Sequence, residues 1–141
     1  MGIRLDDVVA GMQLPAQTFP IGRVSMVRYA GASGDFNPIH WSEEFATSVG
    51  LPNVIAHGML TMAITARVVT EWTGDPGGLL EYGVRFTRPV VVPYGETTLL
   101  EVTGSVIAVD PDTGTVVVEL TAAVDGETVL TQVRATVRCR R

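Results

Sequence analysis

From Gly58 to Trp72 the chain carries apolar residues at Met59, Leu60, Met62, Ala63, Ile64, Ala66, Val68 and Val69, with charges only at Arg67 and Glu71. This density predicts the longest helix of the chain, buried on most of its faces. Shorter helical patterns precede it. Arg23 to Ala32 places Val24, Val27 and Ala30 at helical spacing, and Ser42-Glu43-Glu44 reads as an N-cap with two acids in the first turn of a helix that Gly50 and Pro52 end. Gln13 to Ile21, with Pro15 and Pro20, reads as an irregular extended entry. Beyond the turn cluster Gly74-Asp75-Pro76-Gly77-Gly78 the period changes to two. Tyr82, Val84 and Phe86 alternate with Gly83, Arg85 and Thr87, and further strands are predicted at about 97–109, 115–124 and 128–137. Asp110 to Gly114 and Asp125-Gly126 are the hairpin signals between them. One long apolar helix and four or five antiparallel strands predict an α+β domain, the sheet wrapped round the helix. No repeat or domain boundary interrupts residues 1–141, so one domain is expected.

Composition narrows the function classes. The net charge is −5 and no basic cluster precedes Arg138, Arg140 and Arg141, which argues against nucleic acid. The single cysteine, Cys139, excludes an internal disulfide and a cysteine-built metal site. Lysine is absent, which removes Schiff-base chemistry and a phosphate-binding loop lysine. No signal-peptide pattern or membrane-length apolar run is present, so a soluble, cytoplasmic protein is expected. Apolar residues make up 46% of the chain and the mean hydropathy is +0.29, which hints at a buried subunit interface.

The chemistry is concentrated in Gly34-Asp35-Phe36-Asn37-Pro38-Ile39-His40. On a helix, Asp35 and His40 would stand about 140° apart. Pro38 forbids that helix and pushes Asn37 extended, so the chain must turn, and a turn can bring carboxylate and imidazole to one side as an acid–base pair. The same residues also fit an Asx-turn beside a buried histidine. His57-Gly58 opens the long helix, where N–H groups lack partners and a glycine lets an oxygen approach closely, although His57 by itself also suits a structural role.

Gly34-Asp35-x-Asn37-Pro38-x-His40, followed by Ala46 and by Ala56-His57-Gly58-Met59, resembles the hydratase motif of the MaoC-like (R)-specific enoyl-thioester hydratases and 3-hydroxyacyl dehydratases. Trp72 to Gly77, Glu81-Tyr82 and Val84 to Thr87 are similar to the catalytic dehydratase subunits of mycobacterial type II fatty-acid synthesis. The resemblance implies the hot-dog fold, with Asp35 and His40 as the catalytic pair, Gly58 N–H polarising the thioester carbonyl, and Asn37 orienting the loop and contacting the site. It also implies an acyl-CoA or acyl-carrier-protein thioester as substrate, and no metal or redox cofactor. His57 joins the substrate-binding set. Arg85 and Arg88 are candidates for the phosphate of the carrier or for an acidic carrier protein, or else are solvated strand ends. Where some relatives carry a site serine this chain has Ala66, with Thr65 beside it.

A hot-dog thioesterase and a non-catalytic partner subunit are the alternatives. The intact Asn37-Pro38-x-His40 motif speaks against the first, and the presence of both Asp35 and His40 against the second. Pro89-Val90-Val91-Val92-Pro93 breaks alternation, so it should meet apolar surroundings on both sides or another subunit. A dimer is expected: a homodimer by symmetry, or a heterodimer with a homologous hot-dog subunit by the resemblance.

Overall fold

A computed structural model describes residues 2–140. The entry predicted as irregular is a strand, β1 (Gln13–Ile21). It lies at the edge of the sheet, pairs with one neighbour only, and absorbs Pro15 in a register shift between Leu14 and Gln17. An edge position tolerates the amide that proline lacks, which is why the prolines did not prevent a strand. Helices α1 (Arg23–Ser33), α2 (Glu43–Ser48) and α3 (Gly58–Thr73) follow, then β2 (Leu79–Phe86), β3 (Thr98–Asp110), β4 (Thr115–Val124) and β5 (Glu127–Arg138). The five strands form one antiparallel sheet in the order β1-β3-β4-β5-β2. At the β4–β5 hairpin Asp125 and Gly126 both have positive φ, 50° and 77°, the backbone that matches the twist of tightly connected strands.

Helix α3 packs across the sheet, against β1, β2, β4 and β5. It is buried along one stripe, Thr61, Thr65, Val68, Val69 and Thr73, rather than on most faces. Met59 is 57% exposed on the other side, so the apolar density of this segment is not consumed within the chain. Leu100, Val102, Val106, Val116, Val118, Leu120 and Val133 supply the sheet's share of the core. A long helix laid on a curved antiparallel sheet is the hot-dog arrangement.

The valine run of residues 89–93 finds its partners inside the chain. Val92 N–H donates to the Val54 carbonyl and Ala56 N–H to the Val90 carbonyl, both at 2.8 Å, and Ile55 bridges Val91. Val90 and Val92 are buried. This small ladder, separate from the main sheet, holds the segment that leads into α3. Among the described residues no helix is long and apolar enough to cross a membrane.

Gly34 caps α1 in the left-handed region (φ 75°, ψ 7°), its N–H bonded to the Ala30 carbonyl, and turns the chain into Asp35. No atom lies within 4 Å of a Cβ built there. The cost of Gly34→Ala is therefore backbone strain alone, about 1–2 kcal/mol. That predicts a melting temperature lower by roughly 3–8 °C. Gly34→Asn, whose side chain tolerates this conformation, should lose less. Equal melting of all three proteins in a thermal scan would refute the assignment.

Candidate active site

Two Asx-type contacts and one to a serine hydroxyl shape the loop between α1 and α2. Asp35 Oδ1 accepts from Asn37 N–H at 3.1 Å, Asn37 Oδ1 accepts from Ile39 N–H at 3.2 Å, and Ser33 Oγ accepts from Asp35 N–H at 3.2 Å. Pro38 starts a short 3₁₀ turn, Pro38–His40, which delivers His40 inward and leaves the Asp35 side chain 50% exposed. The turn and the acid–base pair are thus one structure: the Asx-turn is how Asp35 and His40 meet. Asp35 Oδ2 lies 3.7 Å from His40 Nε2, too far for a direct hydrogen bond and close enough for one substrate oxygen to reach both.

His40 Nδ1 is 2.7 Å from the Ile55 carbonyl. A carbonyl only accepts, so Nδ1 carries the hydrogen and, in the neutral ring, Nε2 presents a lone pair toward Asp35. Ile55 is held in turn by the valine ladder and by Arg23, whose Nε donates to the Val92 carbonyl at 2.7 Å and whose Nη2 reaches Asn53 Oδ1 at 3.1 Å and Glu43 at 2.7 Å. Burial pushes the His40 imidazole below its ordinary value. The Ile55 bond opposes this, His57 adds to the lowering, and Asp35 opposes it more weakly.

His57 is stacked on His40, with ring centroids 3.8 Å apart, and Tyr29 covers its edge. Its Nε2–H donates to the Asp35 backbone carbonyl at 3.1 Å, while buried Nδ1 has no hydrogen-bond partner among the described residues. His57 therefore pins the start of α3 to the Asp35 loop. Asp35, His40 and His57 together offer three ligating atoms within 4.8 Å of one another, so the donor set of a cation site is present. Gly58 is the first residue of α3. The first bonds run from Leu60 and Thr61 N–H to the His57 carbonyl, at 3.0 and 3.2 Å, which leaves the Gly58 N–H among those without an intrahelical acceptor.

Two clefts meet at this point. One, of about 420 Å³, is lined by His40, Gly58 and Thr61 with apolar walls from Ile39, Ile55 and Leu130. The other, of about 290 Å³, is lined by Tyr29, Ser33, Asp35, His57, Gly58 and Met59. Phe86 borders both. An imidazole base, a carboxylate and an unpaired helix-start N–H around a mostly apolar cleft are equipment for moving a proton beside a carbonyl.

The family model described as MaoC like domain matches residues 8–125. The chain belongs to the MaoC-like domain family. A solved MaoC-like dehydratase superposes with a TM-score of 0.95 at 41% identity, over 98% of this chain and 42% of that one. An R-hydratase from Pseudomonas aeruginosa superposes with a TM-score of 0.85 at 25% identity, over 99% of this chain and 88% of that one. The 3-hydroxyacyl-thioester dehydratase X of Mycobacterium tuberculosis is 39% identical over 79 residues, 56% of this chain. This chain spans 27% of that relative's length.

Within this MaoC-like domain the residues singled out from sequence divide into two groups. Asp35, Asn37, His40, His57 and Gly58 converge, Asn37 by fastening the loop. Arg88 lies at the rim of the larger cleft, where Glu127 engages it at 2.6 Å. Arg85 is exposed on β2, outside the residues that line the two clefts. Thr65 does not replace the absent serine, because its hydroxyl donates to the Thr61 carbonyl at 2.8 Å. Burial raises the Cys139 thiol above its ordinary value, which disfavours the thiolate. Sequence reasoning missed the Ile55 carbonyl, the Arg23 clamp and the Tyr29 contact. A backbone acceptor carries no residue-type signal, and Arg23 reads as an ordinary first-turn cation.

A histidine whose value is lower folded than unfolded binds fewer protons in the folded state. Stability is then lost as pH falls from the ordinary value of 6.5 toward the lowered one. Wild type should therefore melt progressively earlier between about pH 7 and about pH 5, the range in which histidine charges. The advantage of wild type over His40→Asn should shrink on the way down. An advantage that grows with acidification would show that His40 is held charged instead.

Proposed function

We propose that this chain is a 3-hydroxyacyl-thioester dehydratase and, in reverse, a trans-2-enoyl-thioester hydratase. The observation that carries the reading is the tautomer of His40. Its Nδ1–H is committed to Ile55, so Nε2 is the free base, 3.7 Å from Asp35 and on a cleft shared with Gly58. In dehydration His40 Nε2 takes the C2 proton of the 3-hydroxyacyl thioester. The electron pair moves onto the thioester oxygen, which the Gly58 N–H stabilises, and then forms the C2–C3 double bond as the C3–O bond breaks. The departing hydroxyl, held at Asp35, takes the proton from the imidazolium, so water leaves and both residues return to their starting states. Placed acid–base groups contribute typically ~10²- to 10⁴-fold and a donor aimed at the developing oxyanion ~10²- to 10³-fold. The (R) configuration, and a carrier that is either CoA or acyl carrier protein, follow from the family resemblance. Cytoplasmic location and a single hot-dog unit across residues 1–141 belong to the same reading. A thioesterase would use the same pair to activate water, and it is the intact Asn37-Pro38-x-His40 motif and the MaoC-like domain that favour dehydration.

Asp35→Asn and His40→Ala should each lower crotonyl-CoA hydration by at least about 10²-fold, the first with little change in melting temperature and the second with a lower one, because the Ile55 carbonyl loses its donor. Gly58→Pro and Gly58→Ala form a matched pair. Both add a Cβ that would stand 3.1 Å from Phe86 Cε1, and only proline deletes the N–H. His57 at ψ 130° already has the extended backbone that a following proline requires. The proline variant should fall below the alanine variant by roughly 2.7–4 kcal/mol of transition-state stabilisation. Release of free thiol in place of loss of enoyl absorbance would favour the thioesterase.

The reading extends to assembly with a second hot-dog subunit. It is supported by the exposed Met59 face of α3 and by β2, an edge strand that pairs only with β5. Light scattering on the chain expressed alone should give about twice 15.0 kDa for a homodimer. Aggregation relieved by a co-expressed homologous subunit would mark a heterodimer, and a fully active monomer would refute both.

A further inference from the structure

Arg23 is the first residue of α1, and its side chain is only 20% exposed. Its acceptors lie on three other segments: the Val92 carbonyl at 2.7 Å, Asn53 Oδ1 at 3.1 Å and Glu43 Oε1 at 2.7 Å. The first two flank the valine ladder on opposite strands. Asn53 Oδ1 also accepts from Val54 N–H at 2.7 Å, so one guanidinium holds the outer strand by a carbonyl and the inner strand by a side chain. Among the described residues the strands themselves share two backbone bonds, Val92 N–H to Val54 and Ala56 N–H to Val90. A strand pair this short is marginal without other support. A planar fork of charged donors that spans both strands supplies it.

What the ladder carries is Ile55. Its N–H donates to the Ile39 carbonyl at 3.1 Å and its own carbonyl accepts from His40 Nδ1–H at 2.7 Å. One residue therefore fixes both the backbone before His40 and the His40 ring. That ring has a competing choice. With its hydrogen on Nε2 it would face the Asp35 carboxylate, whose Oδ2 is 3.7 Å away on a half-exposed side chain with room to turn. At equal geometry a carboxylate is a stronger acceptor than a neutral carbonyl. The Nδ1–H form holds because the Ile55 carbonyl is already in place. On the dehydratase reading, on which this step rests, only that form leaves Nε2 open for the C2 proton.

We infer that Arg23 is a positioning residue of this site: its clamp across the ladder keeps the Ile55 carbonyl against His40 Nδ1–H and so selects the tautomer in which Nε2 is the base. Arg23 itself stands outside the residues that line the two clefts, so it acts through Ile55 and not on substrate.

The chain has two histidines, which makes the test direct. Nitrogen NMR of the imidazole rings distinguishes the tautomers at about pH 8, above the range in which histidine charges. In wild type His40 should read as Nδ1–H, and His57, bonded to the Asp35 carbonyl, as Nε2–H. Arg23→Ala should give a mixed or Nε2–H signal at His40 and leave His57 as it is. Its kcat for crotonyl-CoA hydration should fall by about tenfold or more, with KM within about threefold of wild type. Arg23→Lys, which keeps the charge but not the fork, should fall between in both measurements. Circular dichroism establishes that each variant is folded, and the lysine variant decides if alanine does not fold. A His40 signal unchanged in the folded variants overturns the clamp, whatever happens to kcat. A wild-type His40 that carries its hydrogen on Nε2 overturns the clamp and the base together. A changed tautomer with unchanged kcat leaves the clamp standing and overturns Nε2 as the base. Wild type without hydration activity overturns the dehydratase reading, and the NMR comparison still decides the clamp.

Discussion

The hydrogen bond from His40 Nδ1–H to the Ile55 carbonyl is the contact on which the site depends. Its net worth to folding is only about 1 kcal/mol, but leaving the carbonyl buried and unpaired would cost roughly 1–3 kcal/mol. Its larger effect is chemical. It decides which ring nitrogen carries the hydrogen and therefore which one faces Asp35. Everything that fixes Ile55 acts on that choice at one remove: the ladder of residues 54–56 with residues 90–92, and the Arg23 guanidinium that joins α1, the start of α2 and the ladder. The fold spends a separate strand pairing, outside its main sheet, on holding one carbonyl in place.

Burial then sets the working state of the imidazole. The His40 ring is enclosed and stacked on His57, so the neutral form is favoured although the Ile55 bond and the nearby carboxylate both oppose it. That carboxylate is half in solvent, where its field is screened, and it is among the weaker influences on the ring. A fully buried Asp35 would hold the imidazolium and block the base. The division between an enclosed histidine and an accessible aspartate is the electrostatic logic of the pair.

Two glycines serve the site, for different reasons. Gly34 supplies a left-handed backbone that ends α1 and sends the chain into the Asx-turn. Gly58 supplies absence of volume: a Cβ there would stand 3.1 Å from the Phe86 ring, at a residue that lines both clefts. The first is a constraint on torsion and the second on space.

Much of this was legible in the chain itself, because it follows from local rules. Helices α1, α2 and α3 are set by periodicity and by punctuation at Ser42, Gly34 and Gly74, and the later strands by alternation between Asp-Gly and Asp-Pro turns. The turn that unites Asp35 with His40 was implied by Pro38 and Asn37, whose backbone restrictions act within a few residues. What escaped was long-range. Two prolines hid β1, because a residue does not report whether its amide will face a neighbouring strand or the open edge. Apolar density exaggerated the burial of α3, because composition does not say how close the sheet comes or which face it meets. The tautomer of His40, the clamp at Arg23 and the ring over Gly58 each join groups separated by fifteen to sixty-nine residues. Short-range sterics and periodicity are written in the order of residues. The pairing of a buried donor with one particular carbonyl is decided only when the sheet, the helix and the valine ladder close on one another.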